Sequence, residues 1–233
     1  MGVVMKILVF GDTHFPAHHP DTFAFLKAVK KKFKPTQVVC LGDEIDAAGL
    51  GEWDKDPDSP SAGDELKQAV LLLKKLYEIF PKVKVCISNH TDRIYRKPLK
   101  SGIPKKLLKS YSEILEAPEG WVWAESWEID GVIYEHGEGF SGQQGALKAA
   151  QANMAPTVIG HLHSFAGIQY YANARHLIWG FNAGCLIDRL NPAFSYGKHI
   201  KSKPIIGVGL IENGVPRFIA MQLSTAGRWT GRL

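Results

Sequence analysis

Three short apolar runs, each ending on the same kind of polar residue, constrain the fold of this chain most. KILVF (6–10), QVVCL (37–41) and VKVCI (83–87) are rich in β-branched residues and too short for helices, so each predicts a buried strand. Between the first two, Asp21 can cap a helix in which Phe25, Leu26, Val29 and Phe33 form one apolar stripe, ending near Pro35. Between the second and third, residues 64–80 predict the clearest helix, stopped by Pro81. Strand, helix, strand, helix, strand is the order of an α/β layer with parallel pairing.

The second half reads differently. SWEIDGVIYEHG predicts a hairpin turning at Asp130-Gly131, residues 142–153 a helix, and TVIGHLHS a strand end. Two further hairpins follow, the last turning at Asn213-Gly214. No repeat, low-complexity tract or linker divides the sequence, so a single domain over 1–233 is expected, with residues 225–233 fraying. No run of 18 apolar residues is present to span a membrane. The N-terminal apolar stretch runs into Gly-Asp without a signal cleavage pattern, and Lys6 stands where a myristoylation motif needs Ser or Thr. Cys40, Cys86 and Cys185 are odd in number, far apart and set in apolar surroundings, which fits reduced core thiols of a cytoplasmic protein.

The strand ends carry the chemistry. Asp12 and His14 follow the first strand, Asp43 and Asp46 the second, Asn89 and His90 the third; His136, then His161 and His163, follow later ones. In α/β sheets ligands bind at the carboxyl ends of strands, where loops and side chains converge. Imidazole, carboxylate and amide oxygen together suit borderline divalent metals, and no thiolate takes part. D-x-H and H-x-H spacings on extended backbone send both side chains to one face. So many donors exceed the needs of one structural zinc and suit two ions about 4 Å apart sharing a carboxylate.

In this order, D-x-H, G-D-x-x-D, N-H, H-G and G-H-x-H resemble the calcineurin-like metallophosphoesterase superfamily, over roughly residues 6 to 190; the NAG of 182–184 is similar to that family's N-P-G. The resemblance implies a four-layer α/β sandwich of two mixed β-sheets flanked by helices. It implies that Asp12, His14 and His163 hold one divalent ion, that Asn89, His136 and His161 hold a second, and that Asp43 bridges them. Manganese is the first expectation for both ions, with iron, zinc, nickel or cobalt as alternatives. His90 would protonate or stabilise the leaving oxygen, oriented by Asp46, while metal-activated water attacks phosphorus. The sequence also departs from the family. Ser88 stands for the Gly of G-N-H-D/E, Thr91 for its acid, and Asp92 comes one residue late; Ala47 replaces the phosphate-gripping Arg of the protein Ser/Thr phosphatases.

Arg93 and Arg96 are candidates for an alternative phosphate grip. They open a basic segment, about 93–109, that also holds Lys97, Lys100, Lys105, Lys106 and Lys109 and no acid. In a chain of net charge +5 this favours a polyanionic phosphoester, a nucleotide or nucleic-acid type phosphodiester, over its alternatives. Those are a phosphomonoesterase acting on a small metabolite and a non-catalytic binding module with the same fold. Elsewhere, the acidic stretch 54–65 has EF-hand-like spacing at Asp54, Asp56, Asp58 and Glu65 but Ser59 at the required Gly, so it reads as an exposed loop ending in a helix cap. Trp121, Trp123, Trp127 and Trp179 are expected to pack in the core or hairpins; His18, His19, His176 and His199 are expected at the surface or in hairpins.

Overall fold

The computed structural model describes residues 5–51, 60–191 and 201–233. β1 (Lys6–Phe10), α1 (Thr22–Phe33), β2 (Gln37–Cys40), α2 (Ala62–Ile79) and β3 (Val83–Cys86) follow in the expected alternation. Next come α3 (Arg93–Lys100), α4 (Tyr111–Ile114), β4 (Trp121–Ala124), β5 (Ser126–Ile129), β6 (Val132–Glu135), α5 (Gly145–Asn153) and β7 (Thr157–Ile159). The chain closes with β8 (Gly167–Ala172), β9 (Leu177–Asn182), β10 (Gly207–Glu212) and β11 (Val215–Ala220).

Two mixed sheets result. One has the order β11-β10-β1-β2-β3-β4, the other β5-β6-β7-β9-β8. In the first, β1 to β4 pair in parallel and β10 pairs antiparallel with β1 and β11. Successive side chains point to opposite faces of a strand, which divides β1 between two cores. Ile7 and Val9 pack with Val39, Leu41, Tyr134, Val158 and Phe181 between the sheets. Leu8 and Phe10 pack with Phe25, Leu26, Val29, Leu73 and Leu76 of α1 and α2. Ala146 and Ala149 of α5 cover Ile159 on the far side of the second sheet. Both faces of the central strands are therefore buried, and this is why they read as unbroken apolar runs.

The hairpin turns fall at the expected dipeptides, with left-handed backbone at Asp130, Gly131, Asn213 and Gly214, as the tight primed turns require. Ser61 caps α2 by accepting from the Asp64 N–H at 3.2 Å. Asp54, Asp56, Asp58 and His199 lie outside the described residues. Trp121 and Trp179 are core residues, and the three cysteines are buried free thiols. Among the described residues no helix is long and apolar enough to cross a membrane.

Three expectations need correction. Asp21 flanks α1 without a side-chain cap. Its carboxylate instead accepts from the Arg228 guanidinium (Nε at 2.8 Å) and from the Trp229 N–H at 2.9 Å. Residues 225–233 are accordingly anchored, with the Trp229 ring edge-on to Phe25 at 5.6 Å. His19 is buried, at 2 % exposure, and its Nε2 donates to the Gly227 carbonyl at 2.9 Å. An ion pair and an apolar contact across more than two hundred residues are invisible to local patterning.

Candidate metal centre

The loops after β1 and β2 are strapped together, with the Asp12 N–H bonded to the Gly42 carbonyl and the His14 N–H to the Asp43 carbonyl, both at 2.9 Å. Asp12, His14, Asp43, Ala47 and His161 all have left-handed backbone. Positive φ is uncommon outside glycine and persists where the surroundings over-determine it, typically at functional sites. Gly160 is required here because a Cβ would collide with Asp12 Oδ2. Asn182 of the NAG motif holds the G-H-x-H loop, donating to the Leu162 carbonyl at 3.0 Å and accepting from the Gly184 N–H at 2.9 Å.

These constraints gather donor atoms into three clusters, two of which share one carboxylate, the third being His14, Asp46 and His90. Asp12, His14, Asp43 and His163 form the first, and Asp43, His136 and His161 the second. His163 Nε2 stands 3.1 Å from Asp12 Oδ1 and 3.2 Å from His14 Nε2. His14 Nε2 and His136 Nε2 each lie 3.4 Å from Asp43 Oδ2. Asn89 Oδ1 joins the second cluster at 2.7 Å from His136 Nε2, with His161 Nδ1 at 3.1 Å from the same atom. Donors held about 2.1 Å from one ion stand roughly 3.0–3.4 Å apart at cis angles, so both clusters that share Asp43 could hold a divalent metal. Every residue expected as a ligand is thus brought together.

The imidazoles are oriented by their other nitrogens. His136 Nδ1 faces the Leu41 carbonyl at 2.9 Å, an atom that only accepts, so the proton sits on Nδ1 and Nε2 presents its lone pair. His14 Nδ1 likewise lies 3.0 Å from Asp46 Oδ1. Burial disfavours a charged His14, yet hydrogen bonds and charge from Asp43 and Asp46 overcome it and push its pKa up to about 10. For Asp43 too burial opposes ionisation, but the surrounding His136, His90 and His14 hold its carboxyl well below the usual range. Burial, reinforced by His136, holds His161 down. The paired aspartates make a field that favours a cation.

His90 stands beside the two clusters that share Asp43. Its Nδ1 is 2.8 Å from the Asp46 main-chain carbonyl and 3.0 Å from Asp46 Oδ1, so the expected orienting pair is in contact. Its main-chain N–H reaches Asp43 Oδ1 at 3.1 Å. Arg93 lies closest to it, with Nη1 donating to the Asp46 carbonyl at 3.0 Å and Nη2 at 3.1 Å from His90 Nε2. Arg96 is one step removed, its Nη2 3.4 Å from the Asn89 carbonyl.

Sequence reasoning missed the support beneath this loop. The Asp43 N–H donates to Ser88 Oγ (2.8 Å), the Ser88 hydroxyl to Thr91 Oγ1 (3.1 Å), and the Thr91 hydroxyl to Glu44 Oε2 (2.9 Å). Trp123 Nε1–H binds the other Glu44 oxygen at 2.9 Å. Glu44 is fully buried, and burial pushes its carboxyl up against the downward pull of Trp123 and Thr91. The two departures at 88 and 91 therefore belong to one hydrogen-bonded chain, and the loop's carboxylate comes from Glu44 on the neighbouring strand end. The only signal in the sequence was an acid inside G-D-x-x-D. Glu65, considered within the acidic stretch, instead accepts from the Ala48 and Gly49 N–H groups at 2.8 and 2.7 Å.

Comparison with solved structures gives distant likenesses. A single mutant of Vps29 from Entamoeba histolytica is 14% identical, with a TM-score of 0.43, covering 89% of this chain and 86% of that one. A conserved uncharacterized protein, a predicted phosphoesterase, from Streptococcus pneumoniae TIGR4 is 16% identical, with a TM-score of 0.39, over 91% and 84%. Vps29 from Chaetomium thermophilum is 14% identical, with a TM-score of 0.42, over 98% and 94%. Comparison with curated proteins finds no match. The family model for calcineurin-like phosphoesterases matches residues 5–179, which include every clustered donor residue, and the chain belongs to that family.

Proposed function

We propose that this protein hydrolyses phosphodiesters of the nucleotide or nucleic-acid type, using two divalent ions. Asp12, His14, Asp43 and His163 would hold one ion, and Asp43, Asn89, His136 and His161 the other. The observation that carries the reading is the Asp43 carboxylate shared between two donor clusters, with His90 beside them. When bound, such ions supply Lewis-acid charge and lower the pKa of water towards neutrality. Manganese is the ion to try first, since imidazole, carboxylate and amide donors without thiolate suit it.

The protein's own residues do the rest. Asp46 fixes the His90 proton on Nδ1 and turns Nε2 outward, towards Arg93. An arriving phosphate oxygen would draw the Arg93 guanidinium to itself, since this fork suits phosphate. His90 Nε2, uncovered, would then take a proton from solvent to give an imidazolium held by Asp46, and pass that proton to the leaving oxygen. Arg93 thus takes the place of the arginine missing at position 47. The basic segment next to the site supports a diester over an isolated phosphoryl group.

The test is hydrolysis of bis-p-nitrophenyl phosphate and p-nitrophenyl phosphate by metal-stripped protein, before and after adding Mn²⁺. Diester turnover appearing only with Mn²⁺ is expected. Turnover of the monoester alone points to a phosphomonoesterase, and of neither to a binding module. His90→Ala should cost about 10²–10⁴ in kcat on a dinucleotide. Its cost should be smaller on bis-p-nitrophenyl phosphate, whose p-nitrophenolate departs without a proton. Equal losses on both would remove His90 as the proton donor.

A further inference from the structure

Helix α3 begins at the site and leads away from it. At about 100° per residue, Arg93, Arg96, Lys97 and Lys100 fall within one outward arc. The opposite side holds Tyr95, buried at 3 %, and Ile94, which packs on the core under α1 and α2. The following segment folds back against this inner side. The Tyr95 hydroxyl donates to the Lys109 carbonyl at 2.8 Å, Lys105 Nζ lies 5.1 Å from the Tyr95 ring centre, and the Tyr111 ring lies tilted against it at 4.7 Å. The Asp92 carboxylate at the head of the helix accepts from the Tyr111 hydroxyl at 2.8 Å. From Arg93 to Lys109 the chain has seven cations and no acid.

We infer that the outer face of α3 is a track for the phosphates flanking the scissile one, so that the substrate is a polynucleotide strand. Eight residues of helix extend about 12 Å, against roughly 3.4 Å of axis per phosphate on one strand. Arg93 lies against His90 and Arg96 against the Asn89 carbonyl; Lys97 and Lys100 follow on the same arc about one and two turns beyond Arg93, where they would serve the neighbouring phosphates. The one aromatic side chain of α3, Tyr95, is buried, so the track offers no stacking platform and reads the backbone without base preference. Its outer arc carries cations alone, unlike an interfacial helix that must present apolar residues to a bilayer; the exposed Leu99 falls outside the arc.

The inference rests on the phosphodiesterase reading, but separate measurements decide the two. Binding of a fluorescein-labelled oligothymidylate to the metal-stripped full chain is followed by anisotropy across a salt series. Lys97→Ala/Lys100→Ala should weaken it by about 10-fold at low salt. The same pair should flatten the slope of log K against log salt by roughly 1.4, at about 0.7 per phosphate contact on a single strand. Lys27→Ala, an exposed lysine on α1, serves as the charge control. Equal losses in the double variant and the control, or capture by anionic vesicles in place of the oligonucleotide, would overturn the track. Lysine-dependent binding without Mn²⁺-dependent diester turnover would uphold the track and overturn the chemistry.

Discussion

Thr91→Val isolates the hydroxyl chain beneath the His90 loop. Valine keeps the shape of threonine and deletes one oxygen. That oxygen accepts from Ser88 at 3.1 Å and donates to Glu44 at 2.9 Å, in surroundings where Thr91 is 1 % exposed and Glu44 0 %. The chain runs from the Asp43 N–H, which can only donate, through the Ser88 and Thr91 hydroxyls to Glu44 Oε2. The variant leaves one buried hydroxyl without an acceptor and one carboxylate oxygen short of a donor. At about 1–3 kcal/mol for each buried group left unpaired, the loss should be about 2–6 kcal/mol, a large part of a typical folding free energy. Thr91→Ser keeps the hydroxyl and removes a methyl, for about 1 kcal/mol. Urea denaturation of metal-stripped protein compares the two directly. Ser88 and Thr91 flank Asn89 and His90, so misplacement should also lower Mn²⁺-dependent turnover by at least roughly 10-fold in Thr91→Val. A valine variant as stable and active as the serine variant would show that the chain of hydroxyls does not hold the loop.

Other outcomes can be checked alongside. Mn²⁺ at about 100 times its Kd should stabilise the fold by roughly 2.7 kcal/mol, reversed by a chelator; metal displaces protons from groups such as His14, so the thermal shift should grow as pH rises. Gly160→Ala should push Asp12 out of place and abolish that shift while the far-ultraviolet dichroism stays native; an undiminished shift would place the ion elsewhere. The hydrogen bond from Arg228 holds the Asp21 carboxyl near 2, below its ordinary 3.8. Because the folded pKa is depressed, the anchoring of residues 225–233 is complete above pH 3.8 and fades as pH falls through about 2. Trp229 fluorescence should report this local release, and Arg228→Ala should show it already at neutral pH.

Much of the fold was legible because its signals are local. A strand buried on both faces must be apolar throughout, as β1 is, and Asp130-Gly131 and Asn213-Gly214 announce their turns by tolerating left-handed backbone. The donor set was legible for a related reason. Parallel strands end on one edge, so residues placed just after β1, β2 and β3 converge, as do those after β6 and β7, and the packing of the two sheets then brings the groups together. Other assignments required the assembled molecule. Asp21 looked like a helix cap until Arg228 and Trp229 arrived from the far end of the chain to take its oxygens. Thr91 and Ser88 looked like losses from a motif until Glu44 was seen to supply the carboxylate across the sheet edge. The sequence by itself determined which atoms could bind a cation, because residue type and strand periodicity set donor chemistry and direction. Tertiary structure decided which hydrogen-bond partners hold those atoms in place, because such pairing depends on distances between segments that no local pattern encodes.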